Sequence, residues 1–179
     1  SPDITHKTDM GGVRLGIRNP AELESAYGQM IDSITRKVPH AAIDGVLVQP
    51  MIGDHIELIV GMQRDAQFGP TILCGIGGVN AEILHDVALR LCPLSARDAA
   101  DMLAKLKGAG LLRGYRGAPA GDLKAVSDVL VRLSQLAVDF SHEIESIDIN
   151  PLAVFPEGRG VQALDALIIL RNPPGNLSD

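Results

Sequence analysis

Apolar residues recur along this chain with two periods, and the period changes from region to region. After Asn19-Pro20-Ala21-Glu22, residues Leu23, Tyr27, Met30, Ile31, Ile34 and Val38 fall at helical spacing. The Asn cap, the proline at the first helical position and the glutamate three residues after the cap predict a helix that Pro39 stops. A second helix is predicted after Ser95-Ala96-Arg97-Asp98, with Met102, Leu103 and Leu106 on one face. The clearest runs from Asp122 to Phe140, where Leu123, Val126, Val129, Leu130, Leu133, Leu136 and Ala137 make a broad apolar stripe.

Elsewhere the alternation is that of strands. Ile56, Leu58, Val60 and Met62 face one way, with Glu57 in mid-strand on the other face. Val13–Ile17, Asp44–Ile52, Thr71–Ile76 and the more interrupted Ile83–Leu91 are also strand-like. In the last the charges of Asp86 and Arg90 are read as solvated rim residues. The order of elements is α+β, with a largely antiparallel sheet in the second part. Residues 108–121, with five glycines, are expected to form a long loop, whose Arg113 and Arg116 are read as either plain surface or contacts to a phosphate or partner.

The stretch Ile144–Leu170 changes the picture from fold to chemistry. Ile147 and Ile149 share one strand face, and Asp148 and Asn150 share the other. Pro156-Glu157-Gly158-Arg159-Gly160 is a turn cluster, so Val161–Leu170 folds back and brings Asp165 opposite Asn150 or one residue out of register. Three oxygen donors then converge. Mg²⁺ takes oxygen ligands and is held through one or two protein groups plus the phosphates of a nucleotide, so this ribbon is expected to form one wall of a Mg-nucleotide site.

Two glycine pairs, Gly11-Gly12 and Gly77-Gly78, lie beside strand-like segments with charged neighbours. Each is either a tight turn or a place where backbone N–H groups meet an anion, with Lys7 and His6 near the first. Gln49-Pro50 either ends its strand or bends the chain into a hinge between two lobes.

Composition narrows the classes. The 179 residues, 46% of them apolar, suit one domain or two small lobes. A net charge of −6 without a Lys/Arg cluster speaks against nucleic acid. No apolar run approaches the roughly 18 residues that cross a bilayer, and Ser1-Pro2-Asp3 does not start a signal peptide. Cys74 and Cys92 match no metal spacing and are read as buried free thiols of a cytoplasmic protein. The absence of an initiator methionine suggests a processed product or an excised piece.

Taken in order, THKTDMGGV, DGVLVQPMI, IELIVG, RDAQFGP, GIGGVNAE, ALRLCPL and IDINPL followed by ALDA resemble the ATP-grasp domain of the nucleoside-diphosphate-forming acyl-CoA synthetases. These include the ADP-forming acetate-CoA ligases and, more distantly, the β subunit of succinyl-CoA synthetase. The resemblance covers about residues 1 to 170. It implies an ATP-grasp fold with the remainder of a front lobe (1–50), a complete back lobe (51–171) and a tail or linker (172–179).

It further implies ATP/ADP and Mg²⁺ as cofactors, with Asn150 and Asp165 as metal ligands. Asp148 becomes the acidic residue that holds a phosphohistidine loop, and Gln49, Pro50 and Met51 the adenine hinge. Glu57 falls just past that hinge, and Lys7, Gly11 and Gly12 match the phosphate cover. His6 is either a second phosphoryl carrier or a plain phosphate-binding or surface histidine.

The implied partners are a CoA-binding subunit or domain that carries the phosphohistidine and an acyl-CoA or organic acid, with no nucleic acid and no membrane; a homo-oligomer is admitted. The family's front lobe starts further upstream and includes a nucleotide-contacting lysine, so this stretch alone is expected to be inactive. The competing expectations are a regulatory or scaffolding synthetase-like region of a multidomain acetyltransferase, and a structural lobe whose polar ribbon binds only water.

Overall fold

A computed structural model describes residues 1, 3, 4, 7, 10–78 and 86–171. The chain divides into two compact units, Ser1–Gly53 and Asp54–Asp179. No helix of the described residues is long and apolar enough to cross a membrane.

In the first unit the predicted helix forms as α1, Pro20–Lys37. Asn19 caps it by accepting the Glu22 N–H at 2.9 Å, and Ala26 and Ile34 are its buried residues. Val13–Ile17 and Asp44–Ile52 are not strands: both segments lack regular structure. An extended segment becomes a strand only when a neighbour supplies its ladder, and Leu15 and Leu47 instead remain 71% and 80% exposed.

The second unit is built on one sheet. Its strands are β1 (Ile56–Asp65), β2 (Gly69–Ile76), β3 (Val87–Leu91), β4 (Ile144–Val154), β5 (Val161–Ala163) and β6 (Ala166–Leu170). Their order is β3-β2-β1-β4-β5, with β6 also paired to β4, and every pairing is antiparallel. The β1–β2 hairpin closes on Asp65, whose carboxylate accepts the Gln67 and Phe68 N–H groups.

Leu58, Val60 and Met62 of β1, Ile72 and Cys74 of β2, and Ile147, Leu152 and Val154 of β4 form the core with two helices, α2 (Ala96–Lys105) and α4 (Leu123–Asp139). Ser95 and Asp98 cap α2 reciprocally, and Asp122 caps α4. The period of two then sends Glu57, Ile59, Gly61 and Gln63 to the opposite face.

Two expectations change. The glycine-rich 108–121 stretch contains a short helix, α3 (Ala109–Leu112), because Ala109 and Leu112 are buried. Asp86 is not a solvated rim residue but is 7% exposed, and its carboxylate accepts the Lys107 and Gly108 N–H groups, each at 2.7 Å. Those charge-assisted bonds offset the desolvation of a buried carboxylate. Cys74 is buried and Cys92 half-buried; burial pushes their thiols up to about 12 and about 11, so both are inert as nucleophiles at neutral pH. Arg116 lies over the Tyr115 ring, 5.3 Å from its centroid.

Removing a fully buried side chain from α4 tests this packing. Leu130→Ala should destabilise the protein by about 2–5 kcal/mol in urea denaturation; a loss under about 0.5 kcal/mol, the range of surface changes, would place Leu130 outside the core.

Candidate metal and nucleotide site

The ribbon forms with Asp165 opposite Asn150. Ile149 pairs with Ala166 and Leu152 with Ala163, and between them the Asn150 N–H donates to the Asp165 carbonyl at 3.2 Å and the Leu164 N–H to the Pro151 carbonyl at 3.0 Å. Asp148 pairs with Leu167 one step further along. Directly opposed residues of an antiparallel pair lie on one face with Cβ atoms about 4.5–5.5 Å apart. Asp148, Asn150 and Asp165 therefore share a face, and all three are exposed.

The returning strand is broken rather than continuous, because Leu164 and Asp165 separate β5 from β6. The Asp165 carboxylate turns onto its own neighbour, Oδ1 accepting the Ala166 N–H at 3.0 Å. On the other side of β4 the register against β1 shifts by one residue between Leu58 and Val60. That shift places Asn150 and Pro151 together across from Ile59, as in a β-bulge. It explains why the core side of β4 changes phase, from Ile147 before the bulge to Leu152 and Val154 after it. Gly61 sits opposite Asp148, so no β1 side chain stands directly across from that carboxylate.

Electrostatics mark the same place. Although Asp148 is exposed, partial burial of its carboxyl, and then the nearby Asp165 charge, raise that carboxyl above its ordinary value of 3.8. A like-charged pair on one face is relieved by a cation. Among the described residues no three His, Cys, Asp or Glu side chains gather as a metal-ligand cluster; the donors here are two carboxylates and an amide oxygen. That set suits Mg²⁺, which keeps waters and phosphate oxygens in its shell and needs few protein ligands.

Glu57 lies on β1 across from Ala153, with its side chain 39% exposed. Its carboxylate is 3.7 Å from His55 Nε2, and the His55 ring meets Phe155 edge-on at 6.3 Å. The second glycine pair packs here. The Gly77 N–H donates to the Glu57 carbonyl at 2.8 Å, and a Cβ on Gly77 would lie 3.0 Å from that oxygen. A close approach of two backbones thus accounts for Gly77.

In the first unit Gly11 has φ +76, and the Gly12 N–H closes a turn on the Lys7 carbonyl at 2.7 Å. An added Cβ on Gly11 would come within 3.9 Å of Lys37 Nζ, so a second lysine borders this turn. Lys7 is exposed, as are Gln49, Pro50 and Met51 in a segment without helix or strand. His6 lies outside the described residues.

A family model described as the ATP-grasp domain matches residues 1–170. The chain belongs to the ATP-grasp domain family. It is 44% identical to acetate–CoA ligase (ADP-forming) I of Archaeoglobus fulgidus over 90% of its length, and 38% identical to the acetate–CoA ligase (ADP-forming) II subunit beta of Pyrococcus furiosus over 96%. It spans 23% of the former and 72% of the latter.

Among solved structures it is similar to the dinucleotide forming acetyl-coenzyme A synthetase 1 of Ca. Korarchaeum cryptofilum. The complex of that protein with coenzyme A, Ca-AMPCP and HgCl+ matches with a TM-score of 0.88 and 41% identity, covering 95% of this chain and 73% of that one. A second complex holds coenzyme A and Mg-AMPPCP, with the phosphohistidine segment pointing towards the nucleotide binding site; it matches at 0.82 and 38% identity, covering 96% and 73%.

The raised Asp148 carboxyl fixes the sign of a pH effect. The native state holds this proton more tightly than the unfolded chain, so stability falls as pH rises from 3.8 through the raised folded value, and the deficit persists at neutral pH. With divalent metal removed by chelator, Asp148→Asn should raise the melting temperature at pH 7, by an amount that shrinks as pH is lowered toward 3.8. A gain that grows in acid, or a loss at pH 7, would contradict a carboxyl raised by burial and by the Asp165 charge.

Proposed function

We propose that this chain is the nucleotide-binding part of an ADP-forming acyl-CoA synthetase, which passes a phosphoryl group between ATP or ADP and a histidine or acyl phosphate. The observation that carries the proposal is the opposition of Asn150 and Asp165 on the ribbon face that also bears Asp148. Asn150 and Asp165 are the ligands of Mg²⁺. When bound, that ion neutralises charge on the transferring phosphate.

Phosphoryl transfer needs positioning and charge neutralisation more than covalent chemistry from the protein. Lys7, Gly11 and Gly12 supply a cation and a tight glycine turn for phosphates, with His6 as second phosphoryl carrier. Gln49, Pro50 and Met51 offer backbone outside any helix or strand for the base. Glu57 contacts the nucleotide just beyond them. Asp148, whose carboxyl is raised by burial and then by the nearby Asp165 charge, receives the loop of the partner that carries the phosphohistidine: a neutral imidazole accepts a phosphoryl group near pH 7 and gives it up again.

In lobe terms, residues 1–50 are front lobe, 51–171 back lobe and 172–179 a tail. The partner is a CoA-binding subunit or domain, the substrates are an organic acid and CoA, and the compartment is the cytoplasm. The same similarity to ligases favours this reading over a regulatory module fused to an acetyltransferase.

Calorimetric titration of Mg-AMPPCP into the complete protein tests the metal role. Asn150→Ala and Asp165→Ala should each weaken Mg-dependent binding at least tenfold, about 1.4 kcal/mol, and abolish phosphoryl transfer, with an unchanged unfolding profile. Wild-type affinity or transfer in Asp165→Ala would reject it.

A further inference from the structure

The register of the metal ribbon has little apolar burial to hold it. Along the returning strand Val161 packs partly against the core, but Gln162, Ala163, Asp165 and all of β6 are exposed. A slip of one residue would carry Asp165 to the opposite face of the sheet. Something other than burial has to set the pairing.

Asp122 stands where that pairing begins. It is 8% exposed, and its two carboxylate oxygens serve different elements. Oδ1 accepts the Ala125 N–H at 3.0 Å and caps α4; Oδ2 accepts the Gly160 N–H at 2.9 Å, at the end of the turn between β4 and β5. The Asp122 N–H donates to the Phe155 carbonyl at 2.9 Å, and the Glu157 N–H to the Ala120 carbonyl at 3.0 Å, so both arms of the turn are tied to the start of the helix. The Phe155 N–H in turn donates to the Gly160 carbonyl at 3.1 Å, which starts the ladder leading to Asn150 and Asp165.

We propose that Asp122 is a positioning residue for the cation site: by holding the Gly160 amide from the N-terminus of α4, it fixes the register in which Asp165 faces Asn150. The inference rests on the reading of Asn150 and Asp165 as cation ligands. The Ala125 and Gly160 N–H groups keep the Asp122 carboxyl below the usual range, so the tether is charged and intact at neutral pH.

Serine is a good helix cap with a single short hydroxyl. Asp122→Ser therefore keeps the bond to α4 and drops the one to Gly160. In Asp122→Asn a single acceptor oxygen serves one of the two amides, and an NH₂ faces the other.

The test uses the complete protein with Mn²⁺ as the metal probe, its binding followed by electron paramagnetic resonance in the presence of AMPPCP. In Asp122→Ser and Asp122→Asn the half-saturating Mn²⁺ concentration should rise roughly tenfold or more, as for other residues that orient metal ligands. Metal-free AMPPCP binding should stay within about twofold, because the tether touches no ligand of the nucleotide itself, and saturating Mn²⁺ should restore the wild-type turnover number. A purely structural role would lower stability without this shift in metal requirement.

If wild type binds no Mn²⁺ with nucleotide, or Asp165→Ala binds it as wild type does, the metal reading itself fails. If Asp165→Ala loses Mn²⁺ while a folded Asp122→Ser or Asp122→Asn keeps wild-type Mn²⁺ affinity, the positioning role is overturned; failure of both Asp122 variants to fold would make Asp122 a folding residue and overturn it as well.

Discussion

The account depends on cross-strand register. An antiparallel ladder decides which side chains share a face, and a shift of a single residue reverses the answer for the whole strand. Here the pairing is pinned between Ile149–Ala166 and Leu152–Ala163, and the Asn150 N–H to Asp165 carbonyl bond falls between them. Two carboxylates and an amide thereby come to one exposed face, a donor set that suits a divalent cation. Partial burial first, and the nearby Asp165 charge second, displace the Asp148 carboxyl upward.

The rest of the second unit supports this ribbon by asymmetry. One face of the sheet is sealed by α2 and α4 over Leu58, Val60, Ile72, Ile147 and Leu152. The bulge at Asn150-Pro151 lets β4 keep apolar residues on that sealed side at both ends, while its polar pair points the other way. Without the register shift, the strict period of two would have put either Leu152 and Val154 or Ile147 on the polar face. Irregularity in the ladder is thus what makes a long central strand compatible with both a core and a site.

Much of this was legible in the sequence because the local signals agreed with the tertiary outcome. The caps at Asn19 and Ser95, the apolar stripe of Asp122–Phe140, the alternation of Ile56–Met62 and the turn cluster Pro156–Gly160 each announced an element that formed, and they put Asp165 opposite Asn150 or one residue off, of which the ladder takes the first. What failed was what depends on distant partners. Val13–Ile17 and Asp44–Ile52 have strand-like residues but no ladder. Asp86 looked solvated, because nothing local reveals that the Lys107 and Gly108 amides come to meet it. Leu112 turned a glycine-rich loop into a helix by being buried. Asp122 was visible only as the start of a helix, whereas its bond to Gly160, 38 residues away, was not. The roles proposed for Lys7, Gly11, Gly12, Gln49, Pro50, Met51 and Glu57 rest on the resemblance of ordered motifs rather than on pattern, since backbone contacts to a ligand leave little trace in side-chain periodicity.

The most direct test of the central claim is to locate the cation itself. Crystals of the complete protein grown with AMPPCP and Mn²⁺ should show an anomalous peak bonded to the Asn150 amide oxygen and an Asp165 carboxylate oxygen, at roughly the 2.0–2.2 Å expected of a small divalent ion. A peak bound elsewhere with the nucleotide in place, leaving Asn150 and Asp165 without metal, would contradict it.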